Sequence, residues 1–370
     1  MKRVLIKWTG FLAASPAASP ERFGAFGRAG ALAVVLALLG LIGLGLATGA
    51  TPVPPKGGPP SNDSTLFLHV LDDLRNGEPY YAATVREQRA VGYPLKPFIT
   101  VRLPTLAVAM ALLPTPDLRR LLAGALSVVT LAAWAWRLRR WVKQPLSFSV
   151  AVIFLCGALL PSVLGDDYTF HELWSGDLIA LSLAIYSRRT WPASLALACL
   201  ALSIRELAGL YFVVMAALAL RDGRRLEAGA WALGIAGLAI GLAMHAAAVQ
   251  PLIQDGDLPS FGWTRIGGWP FILLLTKWNL LLMTVPDGIA AVIVPLALLG
   301  LVARRGVWED RVTLVVAGYI LVFLIVGRRD NSYWGLMIDP LWPVGLAASW
   351  PALTGLMAKF RPAARLSAPP

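Results

Sequence analysis

Residues 30–50 read GALAVVLALLGLIGLGLATGA, without one charged side chain. A hydrocarbon core of ~30 Å is crossed by roughly 20 apolar residues in helical form, so this stretch predicts a membrane-crossing helix. It is longer than the apolar region of a secretory signal and lies behind residues 1–29, which marks it as an uncleaved first helix. Comparable runs recur at 119–136, 146–164, 176–187, 191–203, 207–220, 226–248, 287–303, 311–327 and 335–353. The expectation is an all-α, polytopic bundle of about ten transmembrane helices. It forms one domain over 30–353, between a cytoplasmic segment at 1–29 and a cytoplasmic tail at 354–370.

Composition agrees. Hydrophobic residues make up 57% and charged residues 15%, against about 25% charged in soluble domains, and mean hydropathy is +0.66. The alternating segments of a β-barrel are missing from the sequence, so helices must satisfy the backbone in lipid. The runs at 176–187, 191–203 and 207–220 are too short for full-thickness spans and are expected to tilt or to dip into a cavity. Cys156 and Cys199 fall inside apolar runs, with no metal-ligand spacing.

The net charge of +12 sits in short clusters between the runs, the pattern of positive-inside loops and not of a nucleic-acid surface. With the N-terminus inside, 20 of the 33 basic residues fall on the cytoplasmic side, among them Arg137, Arg139, Arg140, Arg188, Arg189, Arg304 and Arg305. Only Glu21, Asp222, Glu227, Glu309 and Asp310 of the 21 acidic residues join them. Carboxylates have little influence on topology, so their outward segregation points to an acidic site on the outer face. That orientation places the protein in a bacterial inner membrane with both termini cytoplasmic.

The large outer loop, 51–118, begins with a Pro- and Gly-rich entry and carries helical patterns over 64–75 and 80–89. Leu66, Val70 and Leu74 share one face of the first, as an interfacial helix requires. The apolar segment 98–113, interrupted by Arg102 and Pro104, reads as interfacial or re-entrant. Asn62 to Ser64 matches the glycosylation sequon, a short pattern. Asp63, where the chain returns to the membrane surface, can act as a general base or as an N-cap.

A second outer loop reads Asp166-Asp167-Tyr168-Thr169-Phe170-His171-Glu172. Its oxygen ligands suit a divalent cation, Mg or Mn, with Asp166 and Asp167 first among the ligands; an ordinary polar loop accounts for the same residues. Arg205-Glu206 interrupts the apolar stretch 191–220, and a charged pair near a bilayer is by default a functional hypothesis. Arg328 and Arg329 stand outside against the charge bias, which a bound phosphate would explain. The alternative is interfacial anchoring by Tyr333 and Trp334 with snorkelling arginines, and the phosphate reading is favoured over it. Tyr80 and Tyr81 can likewise be interface anchors.

The order of these features resembles the GT-C superfamily of polyprenyl-phosphate-sugar-dependent glycosyltransferases. Gly77-Glu78-Pro79-Tyr80-Tyr81, Tyr93-Pro94 and Arg102-Leu103-Pro104 are similar to the first outer loop of bacterial mannosyltransferase-like members. Arg205-Glu206 and the segment Arg328 to Gly335 resemble further patterns there. The resemblance implies a general base at Asp63 and donor-phosphate contacts from Arg328, Arg329, Arg205, Glu206, Arg102 and Tyr81. It also implies inversion at the anomeric carbon, a polyprenyl-phosphate sugar donor, and a lipid or glycan acceptor in the cell envelope. The adjacent aspartates of the second loop differ from the Asp-x-Asp of oligosaccharyltransferases, and no appended soluble domain is expected. From a different class, a transporter or flippase for a lipid-linked or anionic substrate shares the hydropathy pattern, as does an inactive assembly subunit. Transporters commonly carry paired repeats and midplane charges, whereas here repeats are not evident and the charges cluster outside.

Overall fold

The structure, a computed structural model, describes residues 22–49, 63–164, 166–262, 264 and 266–360. Asn62 and the loop entry therefore lie outside the described residues, as do 1–21 and 361–370.

Among the described residues every regular element is a helix. The first, α1 (Arg28–Thr48), ends where Gly49 takes a φ of 63° and returns its N–H to the Gly45 carbonyl. Three short helices follow in the outer loop: α2 (Asp63–Arg75), α3 (Tyr80–Ala90) and α4 (Pro104–Ala111). Pro104 starts α4 because a first-turn residue needs no N–H partner. Arg119 then closes its far end by donating to the Met110 and Leu113 carbonyls.

Seven helices correspond to the runs at 119–136 through 287–303: α5 (Pro116–Trp141), α6 (Pro145–Leu159), α7 (His171–Ile185), α8 (Trp191–Ile204), α9 (Gly209–Arg221), α10 (Arg225–Val249) and, after two short apolar turns, α13. Those turns are α11 (Gly268–Leu275) and α12 (Leu280–Met283), and α13 covers Asp287–Ala303. The chain closes with α14 (Val307–Ile325) and α15 (Leu346–Ala358).

Four helical stretches are long and apolar enough to cross a membrane: Arg28–Thr48, Pro116–Trp141, Pro145–Val163 and Arg225–Leu252. Their outward faces support that reading, since Leu36 and Leu39 on α1 and Leu233, Ile240 and Met244 on α10 are all more than half exposed. Apolar side chains in such continuous exposure need a non-aqueous surrounding. Phe98–Ala111, Trp191–Ile204 and Asp287–Ala303 are shorter apolar segments. Cys199 lies on an exposed face of α8.

Two expected boundaries shift. The run at 176–187 extends back to His171, so His171 and Glu172 form the first turn of a helix buried from His171 to Ala184. The run at 335–353 is not one helix. Residues Arg329–Met337 and Trp342–Gly345 are 3-10 turns, and α-helix resumes only at Leu346. Pro340 and Pro343 explain the break, because each lacks an N–H and clashes with the preceding turn. Residues Trp334 to Ala348 are buried throughout, so protein encloses this irregular backbone. Gly176 permits this packing: a Cβ there would lie 2.1 Å from the Leu336 carbonyl oxygen.

The charged groups gather at two ends. One end joins Arg22 and Arg221 to Asp310 at 2.9 and 2.8 Å, Arg311 to Asp222 at 3.0 Å and Arg224 to Glu227 at 2.8 Å. The other end holds Asp63, Arg102, Glu172, Arg205 and Asp330.

Candidate functional site

Four separate pieces of chain meet at this second end. The tip of α2 supplies Asp63, the turn before α4 supplies Arg102, and the tip of α7 supplies His171 and Glu172. The α8–α9 hairpin supplies Arg205 and Glu206, because the chain leaves α8 in extended geometry at Arg205 and re-enters helix through the turn Glu206–Ala208.

At the centre, Arg205 Nε lies 2.6 Å from Glu172 Oε1 with both side chains almost fully buried. Arg205 is also ion-paired with Glu206, so one guanidinium sits between two carboxylates. Arg102 Nη2 is 3.5 Å from the same Glu172 oxygen and donates to Tyr333 Oη at 2.8 Å. The Arg102 carbonyl accepts from Tyr80 Oη, also at 2.8 Å. Held from both its main chain and its side chain, Arg102 presents a fixed positive charge.

Asp63 has Arg102, Glu172 and Asp330 as charged neighbours. Burial raises its carboxyl to about 6; Arg102 pulls the other way, while Glu172 and Asp330 push it further up. A carboxylate in that range is ionised at neutral pH yet more basic than a solvated one, which suits proton abstraction. Phe67, one turn along α2, packs on the His171 ring at 5.4 Å between centroids. An apolar pocket adjoins this contact, lined by Phe67, Val70, Leu106, Met110, Gln88 and His171 among others.

Arg328 lies beside the cluster. Its Nε donates to Asp330 Oδ1 at 2.9 Å, a second contact joins Nη2 to Oδ2, and its guanidinium stands 5.6 Å from the centre of the Phe261 ring. Arg329 opens the following 3-10 turn; its side chain lies outside what the structure describes.

Asp63, Arg102, His171, Glu172, Arg205 and Glu206 are thus brought together. Tyr81 is not among them: its hydroxyl meets His245 Nδ1 on α10 at 3.1 Å. Asp166 turns to Arg120 at 2.9 Å, away from Glu172, whose partners are Arg205 and Arg102. Burial, then the adjacent Asp166 charge, raises Asp167 to about 6. Among the described residues, no three His, Cys, Asp or Glu side chains converge where they could hold a metal ion.

Two participants were not identified as such from sequence. Beyond the anchoring that its sequence position suggests, Tyr333 accepts a hydrogen bond from Arg102 and lies near Phe170 at 5.7 Å between ring centroids. Asp330 is the local partner of Arg328 and a neighbour of Asp63. Its position two residues from Arg328 was the available signal. No family model, no curated protein and no solved structure matches the chain.

Proposed function

We propose that this protein is an integral membrane glycosyltransferase that moves a sugar from a polyprenyl-phosphate donor to a cell-envelope acceptor at the outer face of a bacterial inner membrane. The observation that carries the reading is the placement of Asp63, a carboxylate raised to about 6, beside the fixed Arg102 guanidinium at one end of an apolar helical bundle. In the proposed topology the chain crosses the membrane about ten times, with the short runs at 176–187, 191–203 and 207–220 tilted or dipping into a cavity; both termini are cytoplasmic, and the end with Asp63 faces the periplasm. The Arg22, Arg221 and Arg311 end then meets the cytoplasm, in keeping with the positive-inside bias.

In this mechanism Asp63 accepts the proton of an acceptor hydroxyl as its oxygen attacks the anomeric carbon. The bond from that carbon to the phosphate oxygen breaks, and polyprenyl phosphate leaves with the electron pair. Arg328 and Arg329 stabilise the charge developing on the phosphate. Arg102 belongs to the same electrostatic surface. Arg205, enclosed by Glu172 and Glu206, fixes the tips of α7 and α8 and adds positive charge to the same end. A divalent cation is not part of the proposed step. The test compares envelope glycans of a deletion strain with those of its complemented parent. Loss of one glycan decoration, restored on complementation by the wild-type gene, is expected; identical glycan profiles would contradict the proposal.

A further inference from the structure

Asp177, six residues along α7 from His171 and so about 9 Å deeper by helical rise, is 3% exposed. Its Oδ2 accepts from Ser127 Oγ at 2.6 Å. Ser127 Oγ lies 2.7 Å from Ser162 Oγ, which in turn donates to the Leu159 carbonyl at 2.7 Å. Thr130 Oγ1 is 3.5 Å from the Asp177 carbonyl oxygen. Ser127 and Thr130, three residues apart on α5, share a helix face. Gly124, on that face one turn earlier, lets α5 close on the turn after α6: a Cβ there would lie 2.6 Å from Val163 Cγ1.

Among the described residues no lysine, arginine or histidine forms an ion pair with Asp177. A carboxylate enclosed in a membrane bundle needs compensation for its charge. The hydrogen bonds described around this carboxylate involve oxygens alone: the Ser127, Ser162 and Thr130 hydroxyls and the Leu159 and Asp177 carbonyls. Oxygen donors of that kind suit hard cations, and a single negative charge is balanced by a single positive one.

We propose that Asp177, Ser127 and Ser162 form a binding site for a monovalent alkali cation, sodium being the probe of choice, between α5, α6 and α7. Glu172 lies five residues earlier on α7, so an occupied site also steadies the helix that carries the Glu172–Arg205 pair. The site stands whether or not the chain transfers sugar.

The test is thermal unfolding of the purified full-length chain in detergent at constant ionic strength, with sodium chloride exchanged for choline chloride. A ligand that binds only the folded state raises the unfolding temperature with its concentration. The wild-type chain is expected to gain stability with sodium, with Ser127→Ala and Ser162→Ala needing at least tenfold more sodium for the same gain. Asp177→Asn is expected to lose the response. Binding of radiolabelled sodium to the wild type and Ser127→Ala provides the second readout should the Asn variant not fold. Equal unfolding temperatures in sodium and choline would overturn the site. So would a sodium response undiminished in both serine variants, or a response to pH alone, which would make a proton the counter-charge.

Discussion

Arg205 Nε stands 2.6 Å from Glu172 Oε1, with the two side chains 2% and 1% exposed, and this contact ties the α8–α9 hairpin to the tip of α7. The pair is enclosed, so breaking it strands charge instead of releasing it to water. Arg205→Ala leaves Glu172 and Glu206 facing each other without their shared cation. The expected loss is about 3–5 kcal/mol, the range for removing one partner of a buried pair. Glu172→Gln should be milder, because Arg205 keeps Glu206 and the amide oxygen still accepts. Unfolding of both variants in detergent checks the order; an Arg205→Ala protein as stable as Glu172→Gln would contradict it.

The Arg328–Asp330 pair yields a prediction of opposite signs. If Arg328 serves the donor phosphate, Asp330 competes for the same guanidinium. Arg328→Ala should weaken donor binding by tenfold or more, since a hydrogen bond to a charged group contributes about 1.5–3 kcal/mol. Asp330→Asn should instead leave donor binding equal or tighter. Titration of purified protein with a polyprenyl-phosphate sugar measures both, and a well-folded Arg328→Ala variant with unchanged affinity would reduce Arg328 to an interfacial anchor.

The pH dependence follows from Asp63, whose carboxyl is raised from 3.8 to about 6, chiefly by burial. Raised in the folded state, this group favours folding most below its unfolded value, and that contribution is lost as pH climbs through about 6. The stability of the wild type relative to Asp63→Asn should therefore fall between pH 4 and 6. Activity runs the other way, because the base must be ionised: turnover should drop as pH falls below about 6. Asp167, also raised to about 6, titrates in the same window, so the comparison with Asp63→Asn isolates the contribution of Asp63. A pH–rate profile that stays flat down to pH 5 would contradict the assignment.

How far the sequence reveals the fold depends on the element. The run at 287–303 coincides with α13, Asp287–Ala303, because a continuous apolar stretch bounded by Asp287 and Arg304 leaves little choice of ends. Arg205-Glu206 is legible as an interruption of the apolar stretch 191–220 for the same reason: charge cannot continue an apolar span cheaply. The stretch 335–353 has the hydropathy of a span, yet Pro340 and Pro343 disfavour an uninterrupted helix, and α-helix resumes only at Leu346. His171 and Glu172 looked like loop residues because polar side chains at a helix tip resemble a polar loop. The contacts of Glu172 with Arg205, thirty-three residues away in sequence, and with Arg102, and the packing of Phe67 on His171, show why they are buried. The Asp177 group was invisible along the chain, because Ser127 and Ser162 are ordinary residues until packing sets them 2.7 Å apart.

The proposed topology has its own check. Cysteines introduced singly in 51–118, 165–175 and 328–334 should react with a membrane-impermeant thiol reagent added to intact cells stripped of outer membrane. Cysteines near Arg139, Arg189 and Arg305 should react only after the inner membrane is opened. Labelling near Asp63 only after lysis would place the candidate site on the wrong side for a periplasmic acceptor.

The most direct measurement is turnover of a labelled polyprenyl-phosphate sugar by purified Asp63→Asn beside the wild type, with thermal stability recorded in parallel. Asparagine is nearly isosteric and remains a good residue for a helix N-terminus, so any structural role of Asp63 there should survive the change. Removing a positioned base lowers rates on the order of 10² to 10⁴, because a neutral amide cannot take the acceptor's proton. The expected result is a folded variant of near-normal stability whose turnover falls by at least a hundredfold. Near-normal turnover would contradict the assignment of Asp63 as general base.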